Sequence, residues 1–246
     1  MNQISRNSHS FSKKYKCEKC KDTGFTIIHS DKCQPTMRVC ECRKKESSKK
    51  QWANYGVDPT GIKTLGQFDT RNERLLERAK NLALNYVSNV ENNKNWIAFM
   101  GQSGSGKSHL SKAIGAMLIK KGFKVVYMPY SEVVMELKRN TMNEENYNKI
   151  LNKFMKADVL IIDDLFKEKI KNNKLTADLT EADLKHIYPL LNYRYNNNLR
   201  TVISTEATLQ ILRALDEALC GRIVEKCVDN IVVFNDMKYN YRFRNI

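Results

Sequence analysis

Apolar positions change their spacing along the chain, and from Phe68 onward the spacing becomes regular. The segment NERLLERAKNLALNYVSNV (72–90) repeats apolar residues at helical intervals and predicts an amphipathic helix. NWIAFMG (95–101) is a short apolar run that predicts a strand. GKSHLSKAIGAMLIKKG (106–122) predicts a helix that stops at Gly122. KVVYMPY (124–130) reads as a strand and SEVVMELKRN (131–140) as a helix. In DVLIIDDLF (158–166) the apolar run is continuous, the pattern of a strand covered on both faces. DLKHIYPLLNYRYNNN (183–198) reads as a helix strained at Pro189, and RTVISTEA (200–207) as a strand. LQILRALDEALCGRIVEKC (209–227) reads as one helix, and NIVVFNDMKYNYRFRNI (230–246) as a strand or hairpin. Strands that alternate with helices predict an α/β fold around a mainly parallel sheet.

Before that domain the pattern is different. Residues 1–16 are polar and serine-rich, which predicts disorder. Residues 17–42 form a cysteine-bearing module. Residues 43–66 read as a basic linker, its first half a short helix and its second half broken by Gly56, Pro59, Gly61 and Gly66. Residues 67–246 make up the α/β domain. No internal repeat is seen.

Composition narrows the classes. No apolar run approaches the ~20 residues of a membrane span, and the N-terminal stretch has no apolar segment of the signal-peptide kind. A cytoplasmic protein without a membrane partner is expected. In that reducing compartment paired cysteines are better read as metal ligands than as disulfides. The net charge is +15, and residues 1–66 hold 14 Lys and Arg against 6 Asp and Glu. A basic excess suits a polyanion such as nucleic acid. A solvated lysine-rich surface gives the same balance, so charge alone decides little.

The candidate chemistry is more specific. GQSGSGKS, Gly101 to Ser108, fits G-x-x-x-x-G-K-[ST] between a predicted strand and a predicted helix. Gly101, Gly104 and Gly106 allow a loop whose N–H groups turn inward on phosphate oxygens, with Ser105 in the loop and His109 in the turn that follows. Lys107 can bridge β- and γ-phosphates, and Ser108 can ligate Mg²⁺. A P-loop needs a partner carboxylate. Asp163, at the end of VLIID, is the second candidate Mg²⁺ ligand, and Asp164 can polarise the attacking water. No N-K-x-D is present, which favours ATP over GTP.

Four thiols stand in front of this site. Cys17-x₂-Cys20 and Cys40-x-Cys42 give the soft ligands of a tetrahedral Zn²⁺. Cys33 is a further candidate should Cys40 and Cys42 not both ligate, and His29 a weaker one. Cys220 and Cys227 read as packing residues. A four-thiolate zinc site has no open position for chemistry, so the module reads as a docking element.

From about residue 66 to 246 the chain resembles the AAA+ ATPases of the DnaC/DnaI type, the bacterial and phage replicative helicase loaders. The resemblance rests on GQSGSGKSHL, VLIIDDLF, LLNYRY, TVISTEAT, LDEALCGRIVEKC and NYRFR, in that order. The front C-x-x-C-x-D-T-G-F with its later C-x-C resembles the N-terminal segment of some phage and Firmicutes members. What the resemblance implies is an AAA+ core, slow regulatory ATP hydrolysis, self-association, and docking on a DnaB-type replicative helicase and single-stranded DNA. It implies Thr205 as γ-phosphate sensor, with Ser204 and Glu206 as rivals. It implies Arg222 as an arginine finger acting on a neighbouring subunit, and Arg242 as a C-terminal sensor, with Arg244 the alternative. Arg194 fits the family pattern without a derived role. Asp164 stands where a Glu is common elsewhere, and KIKNNKLTADLTEAD (169–183) is longer and more basic than in bacterial members. Two other readings share the core: an IstB-type transposase helper ATPase, and an adaptor that binds ATP and scarcely hydrolyses it.

Overall fold

The structure, a computed structural model, describes residues 15–30, 33–171 and 174–243. Of the disorder expected over residues 1–16, the part up to residue 14 lies outside the described residues, as do the side chains of His29 and Cys33, and Arg244, whereas the Lys16 N–H is held by Asp22. The chain divides into two units, residues 1–50 and 51–246.

In the first unit a turn is followed by an antiparallel hairpin of β1 (Phe25–Ser30) and β2 (Cys33–Val39). Phe25 pairs with Val39 and Ile27 with Met37, so these four share one face. The turn is fixed by Asp22, whose carboxylate accepts the backbone N–H groups of Lys16 and Cys17 at 3.1 and 2.9 Å. The basic helix expected early in the linker is α1 (Glu41–Tyr55), which carries the chain across the boundary.

The second unit is built on five strands: β3 (Ile97–Gly101), β4 (Val125–Pro129), β5 (Val159–Asp163), and two that come after a short two-stranded excursion of β6 (Ile170–Lys171) and β7 (Lys174–Leu175), namely β8 (Arg200–Thr205) and β9 (Ile231–Phe234). Their order is β4-β5-β8-β3-β9 and every neighbouring pair is parallel. The period-two alternation of strands sorts side chains onto two cores. Ile97, Phe99, Val159 and Ile161 pack under α2 (Arg74–Ser88) and α3 (Lys107–Lys120). Ala98, Met100, Leu160 and Ile162 pack on the other face with α4 (Tyr130–Arg139), α5 (Glu144–Met155) and α6 (Glu181–Asn196). Leu65 and Phe68 join the α2/α3 core, with Trp52, Val57 and Ile62 partly covered beside them.

Three elements differ from the sequence pattern, while α6 is the helix expected across Pro189. α5 is a helix in a stretch too polar to announce one; Asn143 starts it by accepting the Asn146 N–H at 3.0 Å. α6 runs through Pro189, with Ile187, Leu190 and Leu191 buried around it. The single helix expected at 209–227 is two, α7 (Leu209–Leu215) and α8 (Glu217–Cys227). Asp216 divides them with an extended backbone, and its carboxylate caps the Leu219 N–H at 2.6 Å. After β9 the chain makes 3₁₀ turns at Met237–Tyr239 and Tyr241–Phe243, and no hairpin forms among the described residues.

Arg194 acquires a role here. Its guanidinium is fully buried and donates to the carbonyls of Phe154, Met155 and Ala157 at 3.0, 3.0 and 2.9 Å. It also reaches Thr201 Oγ1 at 3.0 Å and the Arg200 carbonyl at 2.5 Å. It therefore satisfies the open carbonyls at the end of α5 and ties them to the start of β8. Burial pulls its pKa down to about 9. Among the described residues no helix is long and apolar enough to cross a membrane.

Candidate nucleotide site and thiolate cluster

The loop between β3 and α3 opens beside the C-terminal ends of the strands, where ligands bind parallel α/β sheets. Gly101 has φ +93°, and a Cβ there would collide with the Phe234 carbonyl, a backbone atom that cannot turn aside. Gly106 has φ +91°, and a Cβ would meet the Phe68 ring at 2.6 Å. The loop is thus wedged between β9 and an aromatic ring. Tyr241 closes it from a third side, its N–H donating to the Gly104 carbonyl at 2.9 Å.

A cavity of about 420 Å³ lies against this loop, lined by Gly104 to His109 on one wall. Asp164, Lys167 and Glu206 line it at one end, and Phe68 and Leu76 give it an apolar surface. Lys107 donates to the carbonyls of Gly101 and Gln102 at 2.8 and 2.7 Å. Burial pulls its pKa down to about 8. Ser105 Oγ donates to the Gln102 carbonyl at 2.8 Å and holds the loop's curvature. His109 sets Nε2 2.9 Å from the Thr64 carbonyl, and burial lowers its pKa.

Asp163 is a hub. Ser204 Oγ donates to its Oδ1, Ser108 Oγ donates to the same oxygen at 2.8 Å, and Tyr127 OH donates to Oδ2 at 2.5 Å. Lys112 stands 3.7 Å from Oδ2. A hydroxyl and a carboxylate side by side at the phosphate loop are a donor set that fits Mg²⁺. Asp164 follows in a left-handed turn, φ +58°, its N–H donating to Ser204 Oγ at 3.1 Å. Its carboxylate meets Lys167 Nζ at 2.5 Å.

The structure brings Gly104 to His109, Asp164 and Arg242 around one cavity, with Asp163 joined to it through Ser108 and Gly101 through Lys107. It turns Thr205 elsewhere: its hydroxyl donates to the Leu165 carbonyl at 2.7 Å and accepts the Ala207 N–H at 3.0 Å. Of the three sensor candidates, Ser204 touches Asp163 and Glu206 lines the cavity. Arg222 does not line its own chain's cavity. It sits on α8, donating to Tyr188 OH, with its charge 5.0 Å over the Tyr188 ring. Sequence reasoning passed over Phe68, Arg71, Tyr127 and Lys167. Only Lys167, a cation three residues beyond the acidic pair, carried a local signal.

In the first unit the sulfurs of Cys17, Cys20, Cys40 and Cys42 all lie within 4.8 Å of one another. Cys17 and Cys40 are 3.8 Å apart, Cys20 and Cys42 3.4 Å. Tetrahedral zinc bonds of ~2.3 Å would set sulfurs ~3.8 Å apart, so the cluster fits that ion. Backbone bonds shape it: Lys21 N–H donates to the Cys17 carbonyl at 2.8 Å and Arg43 N–H to the Cys40 carbonyl at 3.1 Å. Burial opposes a thiolate at Cys20, but hydrogen bonds with Cys42, the Gly24 backbone, Cys17 and Cys40 together bring it down to about 7, while the hydrogen bond with Cys20 pushes Cys42 up.

A family model described as IstB-like ATP binding protein matches residues 43–245. The phage-like element PBSX protein XkdC of Bacillus subtilis (strain 168) is 32% identical over 239 residues, covering 94% of this chain and 86% of that protein. Among solved structures, that of the DnaC helicase loader is similar with a TM-score of 0.58 at 23% identity, covering 76% of this chain and 99% of that one. The crystal structure of DnaI is similar with a TM-score of 0.55 at 22% identity, covering 73% and 92%.

Proposed function

The chain belongs to the IstB-like ATP-binding protein family, with the α/β AAA+ core that DnaC shares, and on that premise we propose that it is an ATP-driven loader of a replicative helicase. The observation that carries the nucleotide half is the Ser108–Asp163 pair set against the Lys107 loop. Lys107 exchanges two loop carbonyls for β- and γ-phosphate oxygens. Ser108 and Asp163 hold Mg²⁺, which when bound neutralises charge on the phosphates. Asp164 orients a water and takes its proton. Arg242 closes the cavity from the C-terminal turn. Arg222 lies outside its own cavity and serves the nucleotide of a neighbouring copy.

The thiolate module is the docking half. Cys17, Cys20, Cys40 and Cys42 hold one zinc, and the hairpin offers the partner its exposed face of Phe25, Ile27, Met37 and Val39. Single-stranded DNA is the second partner, reached through the basic excess of the chain. A transposase-helper role is the second reading, favoured by the family model itself.

The test is capture of the full chain on the immobilised host replicative helicase, with ATP and Mg²⁺ or without. Capture that rises with ATP is expected. Lys107→Ala should lose about a hundredfold in ATP affinity and with it the nucleotide dependence, since the phosphates lose a buried charge. Capture by a transposase and not by the helicase would replace the loader reading with the helper reading. Unchanged ATP affinity in Lys107→Ala would remove the nucleotide site.

A further inference from the structure

The turn after β5 is pinned at several points. Asp164 N–H donates to Ser204 Oγ at 3.1 Å, and Leu165 N–H to the Ser204 carbonyl at 2.9 Å. Phe166, itself left-handed at φ +60°, is fully buried with its ring edge on Tyr130 at 5.3 Å. A bulky residue rarely holds that backbone unless its surroundings enforce it. Lys167 N–H then donates to the Asp164 carbonyl at 3.1 Å. The turn folds Lys167 back over Asp164, and its ammonium lies 2.5 Å from one carboxylate and 4.0 Å from that of Glu206.

All three side chains line the end of the nucleotide cavity next to Lys107. They are not equally held. The side chain of Lys167 is 51% exposed, that of Asp164 31% and that of Glu206 12%. The lysine is therefore the member free to move, while the acids are fixed by the turn and the strand end. An ammonium this close occupies the carboxylate oxygens and fixes the direction in which the group points. A phosphate group brought to the same wall competes for that ammonium.

We propose, resting on the ATP reading above, that Lys167 is a positioning residue that restrains Asp164 by ion pairing and releases it when a γ-phosphate draws the ammonium away. ADP lacks the group that competes for Lys167, so the restraint holds with ADP and opens with ATP. The pair thereby reports which nucleotide is bound within one chain, before any neighbouring subunit takes part.

The test uses the full chain with Lys167→Met and Lys167→Arg. Affinities for ADP and for a non-hydrolysable ATP analogue are measured by calorimetry, with folding checked by thermal melting. Lys167→Met should weaken the analogue by about tenfold and leave ADP within about twofold, one charge-assisted contact being lost. Lys167→Arg should restore the ratio. An analogue-to-ADP ratio unchanged in Lys167→Met overturns the proposal. So does a large loss of single-turnover rate, which would make Lys167 a transition-state contact. If the parent itself binds neither nucleotide, the ATP reading fails first, and the calorimetry of the parent separates that case.

Discussion

The two units of this chain arrange the same kinds of side chain in opposite ways. In the α/β unit every residue of β3 and β5 is buried, and the charged groups of Asp163 and Arg194 enter the interior with several partners each. In the cysteine unit Cys20 and Cys40 are buried while Ile27 is 65% and Met37 69% exposed. Sulfur is inside and hydrocarbon outside. A segment this short cannot bury enough apolar surface to fold on that basis. A metal held by the four thiols would substitute for a core and leave the apolar face for another use. Cohesion in the first unit should be all-or-none, and in the second it should be graded.

The largest effect should come from the ligands. Cys40→Ser should lower zinc from about one per chain to almost none, since a structural site is worth about 10–16 kcal/mol and rests on its full ligand set. Metal analysis of protein made under reducing, chelator-free conditions reads it. The melting of the α/β unit should move by less than about 1 °C if the units are independent. A parent protein without zinc would end the comparison.

Next comes Arg194→Ala, which strands the carbonyls of Phe154, Met155 and Ala157. A loss of about 3–5 kcal/mol is expected from the urea midpoint, with zinc content unchanged. A loss under about 1 kcal/mol would show that water or repacking replaces the guanidinium.

The smallest is Asp216→Ala. Removing the cap of α8 should cost about 1 kcal/mol, a graded loss with ATP affinity intact. If that single cap instead unfolds the unit, the α/β core is far more brittle than its two packed faces imply.

Legibility followed the same division. The phosphate loop and the Asp163–Asp164 pair could be read from sequence because a local spacing of particular side chains is what phosphate and Mg²⁺ require. The four thiols could be read for the same reason. Tyr127 and Arg71 could not. Tyr127 reaches Asp163 only because β4 lies beside β5, and Arg71 meets Lys238 only through the fold. α5 was hidden because its buried face reduces to Leu151 and Phe154 among polar neighbours. Arg194 fitted a family pattern but its role was not legible, since its partners are backbone carbonyls and a hydroxyl contributed by two separate stretches of chain. The break at Asp216 is visible in hindsight, an acid followed three residues on by the N–H it caps, but helical periodicity continued across it.

The contact between Tyr241 and Gly104 gives the phosphate loop a history as well as a shape. Arg71 grips the same turn through the carbonyls of Lys238 and Tyr239, and it meets Lys238 across 167 residues of sequence. During synthesis the loop leaves the ribosome on the order of ten seconds before the turn that clips it, at ordinary elongation rates. For that interval β3 has no β9 beside it, Phe234 is not there to back Gly101, and Arg242 has not arrived at the cavity. The nascent chain carries a complete phosphate motif that is not yet a pocket, so nucleotide can report only on a finished domain.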